Sequence, residues 1–322
     1  MWIERNAWIF QPEEGVQCHA SHFALTKDGG VFAVWFQGER EGADNVCIWG
    51  AHMDEKGVWG KSRRITPDNG IPHWNPVLFR REDGTLVLFY KEGHVIAHWH
   101  TMVTESADDG ATWTEPAEMV PGDVGGRGPV RNKILKLADG TLVAPASLED
   151  GEWRCFMDVS ADGGKTWQPT AEICLPKPAG DLPKPFGCIQ PTLWQDAAGD
   201  VHALLRTSQG ALYRTDSADN GRTWCVPYAT GIPNNNSGVD LAKSPDGTLY
   251  LVCNPVADNW GARSPITVMK SDDNGVNWQL FTHLVTMPGE YSYPAVQYQD
   301  GALYITHTWQ RKTIQFWKLV IM

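Results

Sequence analysis

SADDGATW (residues 106–113) returns as SADGGKTW (160–167), SADNGRTW (217–224) and SDDNGVNW (271–278), so Trp113, Trp167, Trp224 and Trp278 fall 54, 57 and 54 residues apart. A degenerate copy, MDEKGVW (53–59), sets Trp59 another 54 residues before Trp113. Between the turns the chain repeats one grammar: an extended apolar run, a turn, a second apolar run, then a third that enters the octapeptide. The second unit writes it as NPVLFRREDGTLVLFYK (75–91) followed by HWHTMVTESADDGATW (98–113). The pairs Asp83-Gly84, Asp139-Gly140, Asp246-Gly247 and Asp300-Gly301 lie between apolar or alternating runs, a strong hairpin signal. No segment holds a 3.6-residue apolar period long enough to compete as a helix.

An antiparallel meander of this length cannot bury both faces alone, but copies stacked radially can, which predicts propeller blades. Counting units gives six. Blade one covers about 17–66, blades two to five carry the four good octapeptides, and blade six starts near 290. The N-terminal WIERNAWIF closes the ring as a further strand of blade six. Residues 1–322 thus read as one all-β domain, a six-bladed β-propeller. The octapeptide itself reads as scaffold. Its Ser and Asp side chains bond backbone amides, its Gly permits positive φ, and its Trp packs beneath the hairpin. Asp108, Asp162, Asp219 and Asp273 are therefore expected as turn staples on the rim, not as a catalytic set.

With 42% hydrophobic residues, 16 Trp and 20% charged residues, the chain can fill a large core and is too sparsely charged for disorder. A formal charge of −11 argues against nucleic acid or an anionic membrane as partner. The seven cysteines are scattered without CxxC spacing and read as buried thiols of a reducing compartment. No signal-type apolar region opens the sequence and no 18-residue apolar run follows, so a cytoplasmic location is expected.

Four such turns at this spacing resemble the Asp-box, or BNR repeat, of the sialidase superfamily, whose members are six-bladed propellers. The resemblance covers essentially the whole chain. It implies a central site in which arginines hold a substrate carboxylate, a Tyr with a Glu partner is the nucleophile, and an Asp is the acid/base. Asp44 in VWFQGEREGADNVCIW matches the acid/base, Arg206 in VHALLRTSQG and Arg263 in ARSPITVMKSDDNG match two arginines, and Tyr291 in GEYSYPAV matches the nucleophile. Two positions depart from the pattern. Cys18 or His19 stands where the first arginine belongs, and Gln190 stands for the Glu, although an amide cannot take a proton. The pattern therefore points to acidic sugars without the ordinary sialidase set.

Other residues could complete such a site. His19 and His22 could serve as base or acid near neutral pH, or be bonded within inner strands. His73 and Trp74 in PHWNP could face the funnel as a polar group and a sugar-stacking face, or pack in the blade. Arg131 or Arg127 in GGRGPVRNK could replace the lost anion grip. The amides and Asp240 of PNNNSGVD (233–240) suit sugar hydroxyls and turn bonding equally, Arg311 reads as an interstrand ion pair, and Glu290 should point away from Tyr291 on an alternating strand. Strand alternation would put His94, His98 and His100 of HVIAHWH on one face, poor geometry for a shared ion, so no metal is assigned.

Three functions follow. The first is an exo-acting glycoside hydrolase for an acidic sugar, with Arg206, Arg263 and Arg131 on the carboxylate, Asp44 as acid and Tyr291 at the anomeric centre. The second is a lyase on uronate-containing glycans using His and Tyr for proton transfer. The third is a carbohydrate-binding propeller without catalysis. All three take a carbohydrate partner and no cofactor; the oligomeric state is not encoded legibly.

Overall fold

A computed structural model describes residues 1–177, 180, 182 and 184–321. Six four-stranded antiparallel sheets follow one another along the chain, the arrangement of a six-bladed propeller. Their innermost strands are Gln17–Leu25, His73–Arg80, Leu135–Lys136, Cys188–Gln195, Asp240–Lys243 and Tyr291–Gln299. Trp2–Trp8 pairs with Thr313–Val320 as the outer strand of the last blade, so the two ends of the chain close the ring as expected. Apolar residues on facing sheets fill the wedges between blades. Leu137, Val143 and Met157 of blade three, for instance, pack against Leu193, Ala203 and Leu205 of blade four. Among the described residues, no helix is long and apolar enough to cross a membrane.

Each octapeptide is built as its composition requires. In the first, Ser106 Oγ donates to Asp108 at 2.8 Å and accepts from the Gly110 amide at 2.8 Å, while Thr112 N donates to Asp108 at 2.8 Å. Trp113 Nε1 donates to the Gly110 carbonyl at 3.0 Å. The fourth and fifth residues are left-handed in every copy (Asp109 and Gly110, Gly163 and Gly164, Asn220 and Gly221, Asn274 and Gly275), which explains why only Asp, Asn and Gly occur there. The staple aspartates stand on the rim, and hydrogen bonds from Thr112 hold the Asp108 carboxyl down at about 2. Asp219 also stays at about 2, burial opposing and Thr223 favouring ionisation, and Asp273 is held there by Asn277. A carboxyl whose pKa is depressed by folding contributes stability above its unfolded value, and that stability is lost as pH falls through the folded value. Acid titration should therefore leave the fold's tryptophan fluorescence unchanged down to about pH 4 and weaken it between about pH 4 and 2. Alanine at Asp108 and Asp219 together should reduce that acid sensitivity, and alanine at all four staple aspartates should remove most of it, if these turns are its source.

HVIAHWH departs from the strand expected of it. Ile96–His98 form a single 3-10 turn and the strand begins at His100. His94 then faces Asp44 at 3.6 Å and His100 faces Glu118 at 3.4 Å, so the histidines diverge.

The feature that shapes the centre is a kink on every blade's inner edge. Ala20, Asn75, Arg131, Gln190, Asn236 and Tyr293, one per blade, all have φ between 45° and 67°. In four blades the kink coincides with a break in register, between His19 and His22, Trp74 and Val77, Ile189 and Thr192, and Ser292 and Ala295. Such bulges re-aim side chains that a regular strand would alternate. Below this ring, buried Asp240 binds blades together: it accepts from Lys133 Nζ at 2.6 Å, from Thr192 Oγ1 at 2.9 Å and from the Val296 amide at 2.9 Å.

Candidate active site

Three of the six kinked residues meet around one guanidinium. Arg206, buried to 3% exposure, donates from Nε to Asn236 Oδ1 at 2.8 Å, and from Nη1 to Gln190 Oε1 at 3.0 Å and Tyr293 Oη at 2.7 Å. The fourth blade's strand supplies Arg206 itself, where it pairs with Ile189 beside the bulge. Tyr293 is ringed by cations: the guanidinium carbons of Arg131, Arg263 and Arg206 lie 5.3, 5.5 and 5.7 Å from its ring centre. Gly238 closes the back of this cluster. A Cβ there would sit 3.3 Å from Arg131 Nε, 3.3 Å from Gln190 Oε1 and 3.4 Å from Tyr293 Cγ.

His19 packs against the same phenol at a tilt of 46°, with ring centres 4.1 Å apart. Its Nδ1 is bonded to Thr308 Oγ1 at 2.8 Å, whereas Nε2 is buried without a partner. Burial pushes its pKa well below the usual histidine value, and the charges of Arg311, Arg263, Arg131 and Arg206 push it further. The imidazole is therefore neutral at physiological pH and has one nitrogen unused. Arg131 is also buried, and its Nε and Nη1 have no partner, while Nη2 donates to the Pro294 carbonyl. Burial lowers it to about 10, which leaves it cationic.

At the mouth, Glu290 bridges two arginines, accepting from Arg263 Nη1 at 2.8 Å and Arg311 Nε at 2.7 Å. Arg311 reaches across to Glu41 of blade one as well. Arg311 thus belongs to the cation cluster, and its ion pairs cross blades, not merely strands. Glu290 points at arginines, consistent with its turning away from Tyr291. On the opposite wall, Trp153 and Trp260 cover Arg206 at 5.5 and 5.8 Å and meet each other edge to face at 6.0 Å. The resulting chamber has several cationic donors, one phenol, one neutral imidazole and an indole wall, a set suited to binding an anionic, hydroxylated ligand.

The sequence-derived candidates separate into two groups. Arg206, Arg263, Arg131, Gln190 and His19 converge as described. Tyr291 does not join them: it is 1% exposed in the blade-six core, packed on Trp309 at 4.7 Å, with its hydroxyl accepting from Gln310 Nε2 at 2.8 Å. The phenol facing the arginines is Tyr293, because the bulge after Ser292 sends these two tyrosines to different places. His22 is buried with Nδ1 accepting the Leu78 amide at 3.2 Å, a tie between blades one and two, and burial lowers it to about 3. His73 is held by Thr66 Oγ1 at 2.8 Å and Glu92 at 3.1 Å. Trp74 lies under the blade-one loop, bonded to the Gly93 carbonyl and packed on Trp99 at 5.3 Å, so at 7% exposure it offers no open face to a sugar. Asp44 stands on that loop with its side chain 78% exposed, beside His94.

Arg127 serves a structural end, binding Asp158 at 2.8 Å. Its loop is fastened by buried Lys91, whose Nζ donates to the carbonyls of Gly126 at 3.0 Å and Arg127 at 2.7 Å. Sequence reasoning passed over Tyr293, Trp153, Trp260 and Glu149, and offered Asn236 only as one of the amides of PNNNSGVD. A signal for Tyr293 exists: the kinked residue directly precedes proline in HWNP, CIQP and YSYP.

Several solved structures share this fold. The Hadza microbial sialidase Hz136 superposes with a TM-score of 0.77 at 18% identity, covering 94% of this chain and 66% of its own. A Trypanosoma rangeli sialidase in complex with the inhibitor DANA gives 0.77 at 14% identity, covering 98% and 59%. A protein of unknown function from Dyadobacter fermentans gives 0.79 at 15% identity, covering 100% and 99%. The chain thus spans less than two thirds of the length of those sialidases, and at such identities the likeness is one of fold. No curated protein matches the sequence. The family pattern of the BNR repeat-like domain matches residues 29–305, most of the propeller, and the chain belongs to that family.

Proposed function

We propose that the chamber around Tyr293 binds an acidic sugar, of the uronic or sialic type, and cleaves its glycosidic bond. One observation carries the reading: a phenol accepts a hydrogen bond from Arg206 at 2.7 Å while two further guanidinium groups flank its ring. Guanidinium donors of Arg206 and Arg263 take the sugar carboxylate, which sets the anomeric carbon over the Tyr293 oxygen. Tyr293 attacks that carbon or stabilises positive charge on it. The neutral His19 accepts the phenol proton through its free Nε2, the part that Gln190 cannot play. Water then adds to the anomeric carbon, any bond from that carbon to the Tyr293 oxygen breaks, and the phenol regains its proton from His19. The sialidase folds among the structural neighbours support glycoside cleavage as the class, and the family pattern offers Asp44 as one candidate for the proton that the leaving group needs.

Arg206→Lys tests the anion site. Lysine keeps the charge but cannot reach Asn236, Gln190 and Tyr293 together, so kcat/KM should fall about 10²-fold, about 2.7 kcal/mol of transition-state stabilisation. Free glucuronate or sialate should also lose its power to inhibit. Unchanged kcat/KM with unchanged inhibition would remove the carboxylate from the site.

A β-elimination on a uronate is the second reading, favoured by the contact of His19 with Tyr293. Guanidinium groups would neutralise the carboxylate, His19 would take the neighbouring C–H proton, and Tyr293 would give one to the leaving oxygen. An unsaturated uronate absorbing in the near ultraviolet marks this course; hydrolysis yields no such chromophore.

A further inference from the structure

A glycosidic oxygen needs a proton as it leaves, and the donor must hold one at working pH. Carboxylic side chains near the arginine cluster include Glu290, Glu41 and Glu149, with Asp44 on the loop of blade one. Glu290 is bonded to Arg263 and Arg311, and Glu41 to Arg311. Asp44 is solvent-exposed on the rim beside His94. Glu149 differs from all three. Leu148 pairs with Arg154 at the end of a hairpin of blade three, so residues 149–153 form the loop above the chamber. That loop ends on Trp153, whose indole covers Arg206. Glu149 is half-buried and, among the described residues, has neither an ion pair nor a hydrogen bond.

Resting on the hydrolytic reading above, we propose that Glu149, and not Asp44, is the carboxylic acid that protonates the departing oxygen. The surroundings suit that task. Burial raises its pKa above the ordinary carboxylate value, the charge of Glu41 raises it further, and Arg206 opposes them. Cys155, within the same blade, in turn feels the charge of Glu149, which adds to the rise that burial gives its thiol. In the reaction the bond between the anomeric carbon and the leaving oxygen breaks with its electron pair going to the oxygen. Glu149 gives that oxygen its proton, and the aglycone departs as an alcohol. Water then adds its oxygen to the anomeric carbon and returns a proton to the Glu149 carboxylate, so acid and sugar site are restored and one water is consumed.

The test compares Glu149→Gln and Asp44→Asn on two classes of probe: 4-nitrophenyl β-glucuronide and 4-methylumbelliferyl α-sialoside, whose phenolic leaving groups depart with little protonation, and the corresponding methyl or lactosyl glycosides. Glu149→Gln should keep most of its kcat/KM on the aryl probe, whose first bond cleavage needs little acid, which also shows that it is folded, and lose about 10²- to 10⁴-fold in kcat/KM on the alkyl one. It should also lose the fall in activity that wild type shows as pH rises through the Glu149 pKa. Asp44→Asn should alter both classes alike and keep that alkaline limb. If Asp44→Asn shows the aryl–alkyl split and Glu149→Gln does not, Glu149 is not the acid while the hydrolytic reading stands. If wild type cleaves neither class, both fall.

Discussion

Tyr293→Phe is expected to lower kcat on the protein's substrate by at least ~10³-fold, while Tyr291→Phe leaves kcat within a few-fold of wild type and costs about 1 kcal/mol of stability. The two side chains are separated by one residue and do different work. Tyr293 presents its oxygen to Arg206 among flanking guanidinium groups, so removing the hydroxyl removes the atom that the proposed reaction sets against the sugar and leaves the packing of its ring unchanged. Tyr291 uses its hydroxyl to accept a bond from Gln310 within an aromatic core of Trp309 and His307. Its loss is felt by the fold, not by the chemistry. Steady-state kinetics and denaturant unfolding on the pair separate the two effects; equal kinetic damage from both would mean that the bulge does not divide their roles.

Asp240→Asn carries the largest expected cost to stability, about 3 kcal/mol by urea or guanidinium unfolding. The carboxylate is 1% exposed and accepts from Lys133, Thr192 and the amides of Leu241 and Val296. An amide there leaves Lys133 without its counterion and cannot accept from every donor around it. Lys133 keeps 25% exposure, which holds the loss to the low end for a broken buried pair. Because Val296 follows the Tyr293 bulge, kcat should fall several-fold as well. Replacing Lys133 by Met alongside Asp240→Leu removes the uncompensated cation but leaves the Thr192 hydroxyl and the Val296 amide without their acceptor, so it should recover only part of the stability and should not recover kcat. A fully restored kcat in that double variant would show that Asp240 has no part in aiming Tyr293.

The fold was legible because its signal recurs. Four octapeptides, spaced by the Asp-Gly hairpins, fix the blade length, and WIERNAWIF could be assigned to the last blade because the ring needs closing. The arginines were legible through the resemblance at VHALLRTSQG and ARSPITVMKSDDNG, and Arg131 through its Gly-rich entry. The site failed where period-2 alternation was trusted through a bulge. In GEYSYPAV both tyrosines would face one way on a regular strand, so nothing in the alternation chooses between them; the left-handed turn at Tyr293 does. The same geometry re-aims the residues around His19 and His22, leaving the first against the phenol and the second tied to Leu78. Trp74 and His73 were misjudged for another reason. An inner-strand position guarantees proximity to the axis but not an open face, and the Gly42 loop lies over Trp74. Glu149 carries no sequence signal of its own, since LEDGEW reads only as a polar hairpin, and its setting is made by Arg206 and Glu41 from distant parts of the chain.

Mass spectrometry of a panel of oligosaccharides ending in sialic or uronic acids, incubated with the wild-type protein and with Tyr293→Phe, measures the central claim most directly. Wild type should release an acidic monosaccharide or its unsaturated form from at least one glycan, and the variant none. Product formed equally by both proteins, or no product from any acidic glycan beside cleavage of a neutral one, would contradict it.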